Sequence, residues 1–262
     1  MKIQFSKYHG AGNDFILIDN RKLQFSPEEN KIARLCNRRL GAGADGLILL
    51  SDSISHNFEM KYYNSDGREG TMCGNGGRCV TSFAKDLGII TDKAEFSAID
   101  GTHESVVLQF EDHFSNISVK LNDVSEIIQK EEYFLIDTGS PHYVRFVNKV
   151  DRINVFEEGK RIRWEQEFQP TGVNVNFVEL NDDRLIVRTF ERGVEDVTLS
   201  CGTGVTASAI AASVLLGNGK THFNIDTYGG RLDVRFQVKN KLYTNVWLTG
   251  PVTKVFHGII DI

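Results

Sequence analysis

The sequence says nearly the same thing twice. "MCGNGGRC" at 72–79 and "SCGTGVTA" at 200–207 each set a cysteine immediately before a glycine-rich turn, and the two cysteines, Cys73 and Cys201, lie 128 positions apart in a chain of 262. Their surroundings agree as well. An extended segment and a polar loop precede each motif ("FEMKYYNSDGREGTM" and "LIVRTFERGVEDVTLS"), and a proline-free helical segment follows, ending in Leu-Gly at Leu87-Gly88 and Leu216-Gly217. Further on, Phe96 answers to Phe223, and Gly101 to Gly229, each glycine 28 residues after its cysteine. A register kept on both sides of the motif marks two tandem copies of one strand-loop-helix-strand unit.

That repeat decides the fold class, because each copy needs its own core. Outside the helices the patterns alternate as strands do, in "HESVVLQF", "NISVKL", "RLIVRTF" and "GRLDVRFQV". The expectation is an α+β protein of two structurally similar domains, each a mostly antiparallel curved sheet or barrel around a central helix, with the active site in the cleft between them. The domains are read as 1–120 and 121–249, and a further strand pattern follows Gly250-Pro251. A shorter helix is expected earlier, with Ser26 as N-cap, Pro27 at N1, Glu28 and Glu29 in the first turn, Ile32, Leu35, Cys36 and Leu40 on one face, and Gly41 as the stop. Cys36 and the mid-helix Cys79 are therefore core residues. "GAGADG" at 41–46 matches a dinucleotide fingerprint in letters only, since it follows a helix and precedes the strand-like "LILL".

Composition closes several other routes. Net charge is −5 with no run of Lys or Arg, and the trio Arg34, Arg38 and Arg39 reads as a solvated helix face, so no nucleic-acid partner is expected. The first fifteen residues lack the apolar run of a signal peptide, and the uncharged stretch 200–219 has an apolar part, 209–216, too short for a membrane span. A cytoplasmic protein with no membrane partner is the expectation. Four cysteines are too few for a disulfide scaffold, and the Cys-x5-Cys spacing of Cys73 and Cys79 fits no usual zinc pair, so no metal is expected.

What the paired cysteines can do follows from their place. A helix start carries unsatisfied N–H groups and a partial positive charge, which bind anions and lower the pKa of a neighbouring thiol. Two such thiols addressing opposite faces of one carbon can invert it, one removing the proton and the other returning one. A thiol suits both roles, because its reference pKa of about 8.5 lets base and acid forms coexist near neutrality.

Eight motifs in order, "KYHGAGNDF", "GADG", "YYNSDG", "MCGNGGRC", "GSPH", "GVNVNF", "ERGVED" and "CGTG", make the whole chain resemble the diaminopimelate epimerases. The resemblance implies a cofactor-independent enzyme that converts L,L-diaminopimelate to the meso form in lysine and peptidoglycan precursor synthesis, working as a homodimer. It implies that Cys73 and Cys201 are the acid/base pair, with His142 and Glu191 flanking the reacting centre. Gly74, Asn75, Gly202 and Thr203 would supply amide and hydroxyl donors, and Asn13, Asn64, Asn174, Glu191 and Arg192 the other substrate contacts. It also implies that 250–262 returns to complete the first domain. The chain departs from the family at Gly46, where many members have glutamine, and at Ser140, where many have asparagine; Ser140 still offers a hydroxyl. The loop from Glu191 to Cys201 is a residue longer than in many members. Three other readings stay open on the residues: a proline or hydroxyproline racemase with the same chemistry, a non-catalytic module whose helix starts hold a small anion, and a pyridoxal phosphate enzyme, for which no lysine stands out.

Overall fold

A computed structural model describes residues 2–22, 25–181 and 184–261. The chain divides into two compact units, one of Met1–Val119 with Gly250–Ile262 and the other of Lys120–Thr249. In the first, β1 (Lys2–Gly10) turns through Ala11 and Gly12, both at positive φ, into antiparallel β2 (Asn13–Asp19). Helix α1 (Glu29–Cys36) leads to β3 (Gly46–Ser51), parallel to β2, and β4 (Phe58–Asn64) returns antiparallel to β3. Helix α2 (Gly74–Asp86) then crosses to β5 (Lys93–Ala98), parallel to β4, and β6 (Gly101–Glu111) and β7 (Phe114–Leu121) follow as an antiparallel meander.

The second unit runs from β8 (Ile127–Gln129) through β9 (Phe134–Asp137), β10 (Pro141–Phe146), α3 (Val155–Arg163), β11 (Asn174–Asn181) and β12 (Arg184–Glu191). It continues with β13 (Asp196–Thr198), α4 (Gly202–Leu216), β14 (His222–Thr227), β15 (Gly230–Lys239) and the long β16 (Leu242–Asp261). The strand pairings of the two units are the same in kind and order. From β1 to β7 they run antiparallel, parallel, antiparallel, parallel, antiparallel, antiparallel; from β9 through β12, β14 and β15 to β16 the sequence repeats. Strand β16 gives its first part to β15, while residues 252–261 lie antiparallel to β1. Because β7 also neighbours β16, the first unit closes into a barrel of eight strands.

The barrel is wrapped around α2, whose residues Gly74 to Ala84 are all buried, and α4 is buried in the same way from Gly204 to Ser213. This explains why β2 and β3 read as unbroken apolar runs. Ile16, Ile18, Leu47 and Leu49 point outward under α1 with Ile32, Leu35 and Cys36. Alternate residues such as Ile48 point inward, so both faces are covered.

Three sequence expectations are corrected. Helix α1 starts at Glu29 with Glu28 as N-cap, and it stops at Cys36. The Asn37 side chain accepts the N–H groups of Arg39 (2.8 Å) and Leu40 (2.9 Å), which diverts the backbone and leaves Leu40 75% exposed, outside the core. Arg38 is no simple solvated charge, since its guanidinium grips Asp14 and Asp45. The repeat register also shifts. Strands β5 and β14 share one burial pattern, which sets Ala94 against Phe223 and Phe96 against Ile225; the hairpin glycines that match are Gly101 and Gly230, both at positive φ.

Candidate active site

Both cysteines sit at the N-cap of their helix, in extended backbone (φ −95°, ψ 125° for Cys73; φ −117°, ψ 111° for Cys201), and neither is in a disulfide. Neither cysteine side chain makes a capping hydrogen bond to its helix, whereas α3 is capped by Asn154, which accepts from Glu157 N. An uncapped start presents its N–H groups to an anion.

In the first unit, Asn13, Gly46 and Asn64 meet at one end of the barrel: the start of β2, the start of β3 and the end of β4, with Gly46 directly opposite Asn64. Cys73, Gly74 and Asn75 open α2 beside Asn13. The Cys73 thiol reaches Asn13 Oδ1 at 3.6 Å, and Asn75 Nδ2 donates to the same oxygen at 3.2 Å. The Asn13 amide is held from behind, because its Nδ2 donates to Asp45 Oδ2 at 2.8 Å. Arg38 pairs with both Asp45 and Asp14, and Lys7 with Asp14, so four charges cancel under this asparagine. Those cations, acting against the burial of Asp14, hold its carboxyl well below the usual range.

In the second unit the candidates again share one end. Ser140 precedes β10, His142 lies within it opposite Asn174 at the start of β11, Glu191 ends β12 with Arg192 next after it, and Cys201, Gly202 and Thr203 open α4. Cys201 is 7% exposed, with its sulfur 3.5 Å from Thr203 Oγ1. Asn174 Nδ2 donates to Ser140 Oγ and Pro141 O, and its Oδ1 accepts from Arg192 N at 2.9 Å; one guanidinium arm of Arg192 rests on Thr171 O at 3.2 Å. His142 is fully buried. Burial first, then the charge of Arg192, pushes it down to about 3, so its imidazole is neutral near pH 7. With Asn176 Nδ2 donating to its Nδ1 (3.1 Å), the proton belongs on Nε2, which has no hydrogen-bond partner among the described residues.

Sequence reasoning missed four contributors. Asn176 is a buried hub: it also donates to Tyr143 O (3.0 Å) and accepts from Thr189 Oγ1 (2.9 Å). A β-carbon on Gly204, in the first turn of α4, would lie 2.4 Å from its Oδ1. The period of two in "GVNVNF" puts it on the face of Asn174, which was the available signal. Thr138 holds Thr203 by donating to its carbonyl (3.0 Å). Arg78, in the first motif itself, is 0% exposed. Tyr62 fills the space a side chain at Gly46 would need, its ring carbon 2.5 Å from that β-carbon, and its hydroxyl donates to Asn64 Oδ1 at 2.9 Å.

The family model for diaminopimelate epimerase matches residues 5–125 and 134–255. The diaminopimelate epimerase of Flavobacterium psychrophilum is 47% identical over 97% of this chain and 98% of its own length. That of Chlorobaculum tepidum is 42% identical over 97% and 99%. Among solved structures, a phenazine biosynthesis protein of the PhzF family from Bacillus anthracis superposes with a TM-score of 0.80 at 12% identity over the full length of both chains. A hydroxyproline epimerase from Agrobacterium vitis gives 0.75 at 16% identity over 99% of this chain and 92% of that one. At such identities the two structures speak for the two-domain α+β fold alone. No helix among the described residues is long and apolar enough to cross a membrane. The matched segments span both cysteine motifs, and the chain belongs to the diaminopimelate epimerase family.

Proposed function

We propose that the chain interconverts L,L- and meso-diaminopimelate by two-base proton transfer at the α-carbon, with Cys73 and Cys201 as the acid/base pair and no cofactor. The observation that carries the reading is the recurrence of a cysteine outside any disulfide at the N-cap of a buried helix, at the same place in two units of one topology. One sulfur, as thiolate, takes the α-proton; its electron pair passes into the α-carboxylate, and the other sulfur, as thiol, gives a proton to the opposite face. Run backwards, the sulfurs exchange roles. The carbanionic state demands donors aimed at the carboxylate, and each helix-start N–H so aimed is worth roughly 3 to 4 kcal/mol. Gly74, Asn75, Gly202 and Thr203 are placed to supply them. His142, neutral and with a buried Nε2–H, and Glu191 flank the centre, while Asn13, Asn64, Asn174, Ser140 and Arg192 hold the rest of the substrate; Gly46 leaves room for the Tyr62 ring. The two compact units are the two domains of this enzyme, a cytoplasmic homodimer without nucleic-acid or membrane partners.

In heavy water with L,L-diaminopimelate and no added cofactor, meso product formed early carries deuterium at the inverted carbon while recovered substrate carries none. Product that keeps the substrate's hydrogen excludes two bases. Turnover of L-proline in place of diaminopimelate excludes the substrate.

A further inference from the structure

The most anomalous charge in the described structure is Arg78. It is fully buried at the second turn of α2, five residues beyond Cys73. Its Nη2 donates to Asn75 Oδ1 (2.6 Å) and its Nη1 to Gly74 O (3.2 Å), both neutral acceptors, and its Nε has no partner. Among the described residues no carboxylate forms an ion pair with it. A buried guanidinium normally keeps a counter-anion, because losing hydration without one is costly. The nearby carboxylates are already committed: Asp14 and Asp45 are neutralised by Lys7 and Arg38, and Asp86, at the far end of α2, meets Tyr8 and Lys254.

Among the described residues, two thiols, Cys79 and Cys73, lie near enough to act on the Arg78 charge. Cys79 is fully buried, and burial pushes its thiol far above the ordinary range, so it stays neutral. Cys73 is half-exposed and opens the helix. It is joined to Arg78 through neutral side chains: Cys73 Sγ to Asn13 Oδ1, Asn75 Nδ2 to that same oxygen, and Arg78 to Asn75 Oδ1. Gly10 makes the arrangement possible, since a β-carbon there would come 3.1 Å from Asn75 O and 3.4 Å from both Arg78 Nη2 and Cys79 Sγ.

We propose that Arg78 is the standing counter-charge of the Cys73 thiolate, a positioning residue that keeps this thiol ionisable while binding Asn75 in place. The other helix has no such device. Its residue at the same spacing is Thr206, which donates to Gly202 O at 2.9 Å as Arg78 does to Gly74 O, but carries no charge. The proposal deepens the epimerase reading and rests on its assignment of Cys73 as a working base, yet it is read without turnover.

The test is the pH dependence of carbamidomethylation of Cys73, quantified by mass spectrometry, with Cys201 as internal control. In Arg78→Met the Cys73 midpoint should rise by about one unit or more while that of Cys201 stays put. Arg78→Lys, which keeps charge but loses the fork, should label Cys73 near the wild-type midpoint. An unmoved Cys73 midpoint in Arg78→Met, or equal movement of both thiols, overturns the proposal. Should Arg78→Met fail to fold, shown by free labelling of Cys36 and Cys79, the comparison of wild type with Cys73→Ser takes over. A thiol depressed in the folded state stabilises above its unfolded pKa of about 8.5 and ceases to do so as pH falls through its folded value. The stability difference between the two proteins should therefore grow from pH 6 to pH 9, and a flat difference overturns the assignment. Failure of these experiments with heavy-water exchange intact removes Arg78 from the scheme and leaves the epimerase reading standing; loss of exchange in the wild type does the reverse.

Discussion

The two helix starts share topology and backbone but solve their electrostatics differently. At α2 the thiol is half-exposed and faces an asparagine whose amide is fixed by Asp45, with a buried cation behind it. At α4 the thiol is buried beside a threonine hydroxyl and the neutral groups Asn176, Thr189 and His142, while the charge that acts on this imidazole, Arg192, rests on Thr171 O. A repeat therefore conserves where a reactive group is placed while letting its neighbours diverge. On the proposal above, the first site tunes its sulfur with a buried charge, and the second has Thr206 at that position instead.

The largest expected effect breaks the pair itself. Cys73→Ser and Cys201→Ser should each lower kcat for epimerisation by at least about 10²–10⁴-fold, the usual worth of a positioned acid or base. Cys36→Ser and Cys79→Ser should alter stability and spare the reaction, because both thiols are buried core atoms. Rates by circular dichroism or coupled assay decide it, and near-normal kcat in either of the first two variants removes that cysteine from the chemistry.

Next in size is the glycine three residues after each cysteine. A β-carbon on Gly204 would press on Asn176 Oδ1 at 2.4 Å and Cys201 Sγ at 3.3 Å, whereas on Gly76 it would meet the ends of Ile48 and Met60 at 3.1 and 3.2 Å. Flexible apolar tips yield; a hydrogen-bonded amide does not. Gly204→Ala should cost about 1 to 3 kcal/mol of stability and most of the activity, and Gly76→Ala clearly less. Denaturant unfolding measures both, and equal costs would show that the Asn176 hub is softer than its bonds imply. Asn176→Ala should cost about 2 to 3 kcal/mol, since it strands Thr189 and the Tyr143 carbonyl.

The neutral imidazole gives a pH test of the same contrast. His142 is lowered from 6.5 to about 3, so the unfolded chain binds its proton first as pH falls. The stability it lends is complete above about 6.5 and declines by about 1.4 kcal/mol per unit between there and about 3. Stability curves from pH 7 to pH 4 should be shallower for His142→Gln than for the wild type. Parallel curves would mean that the imidazole is charged in the folded protein.

Much of this was legible in the chain because the carriers are local. A cysteine before Gly-x-Gly marks a helix start, and alternation marks strands; both survive any detail of packing. The duplicate was visible too, but its register was not, because Phe96 and Phe223 look alike in letters while the β5 and β14 burial patterns align Phe96 with Ile225. Asn37 ended α1 early through its own side chain. Arg78 stood in plain view inside "MCGNGGRC", yet nothing local says whether an arginine faces solvent or the core. Which amide points where, as for Asn13 and Asn176, is settled by partners distant in sequence.

The smallest effect concerns Gly46, one of the positions where the resemblance implies a different residue in many members. Gly46 opens β3 as Asn174 opens β11, and each is paired in parallel with the strand before it, to Phe15 and to His142. In the second unit the Asn174 side chain binds Ser140 and the Arg192 backbone. In the first unit Gly46 has no side chain, and the Tyr62 ring lies there, packed edge-on against Phe15 with centroids 5.9 Å apart and flanked by Gly70. Its hydroxyl fixes the Asn64 amide, so the polar contact here comes from β4. Gly46→Gln alone should therefore damage the protein, because its β-carbon would lie 2.5 Å from Tyr62 Cε2 and 2.6 Å from Tyr63 O, and adding Tyr62→Ala, which relieves only the first contact, should recover part of the loss. Tyr62→Phe keeps the ring and removes one neutral hydrogen bond to Asn64. Its KM for diaminopimelate should rise about 2- to 10-fold with kcat and melting temperature nearly unchanged, the span of a single such bond. An unchanged KM would mean that Asn64 keeps its orientation unaided, and that Tyr62 does no more than fill the space beside Gly46.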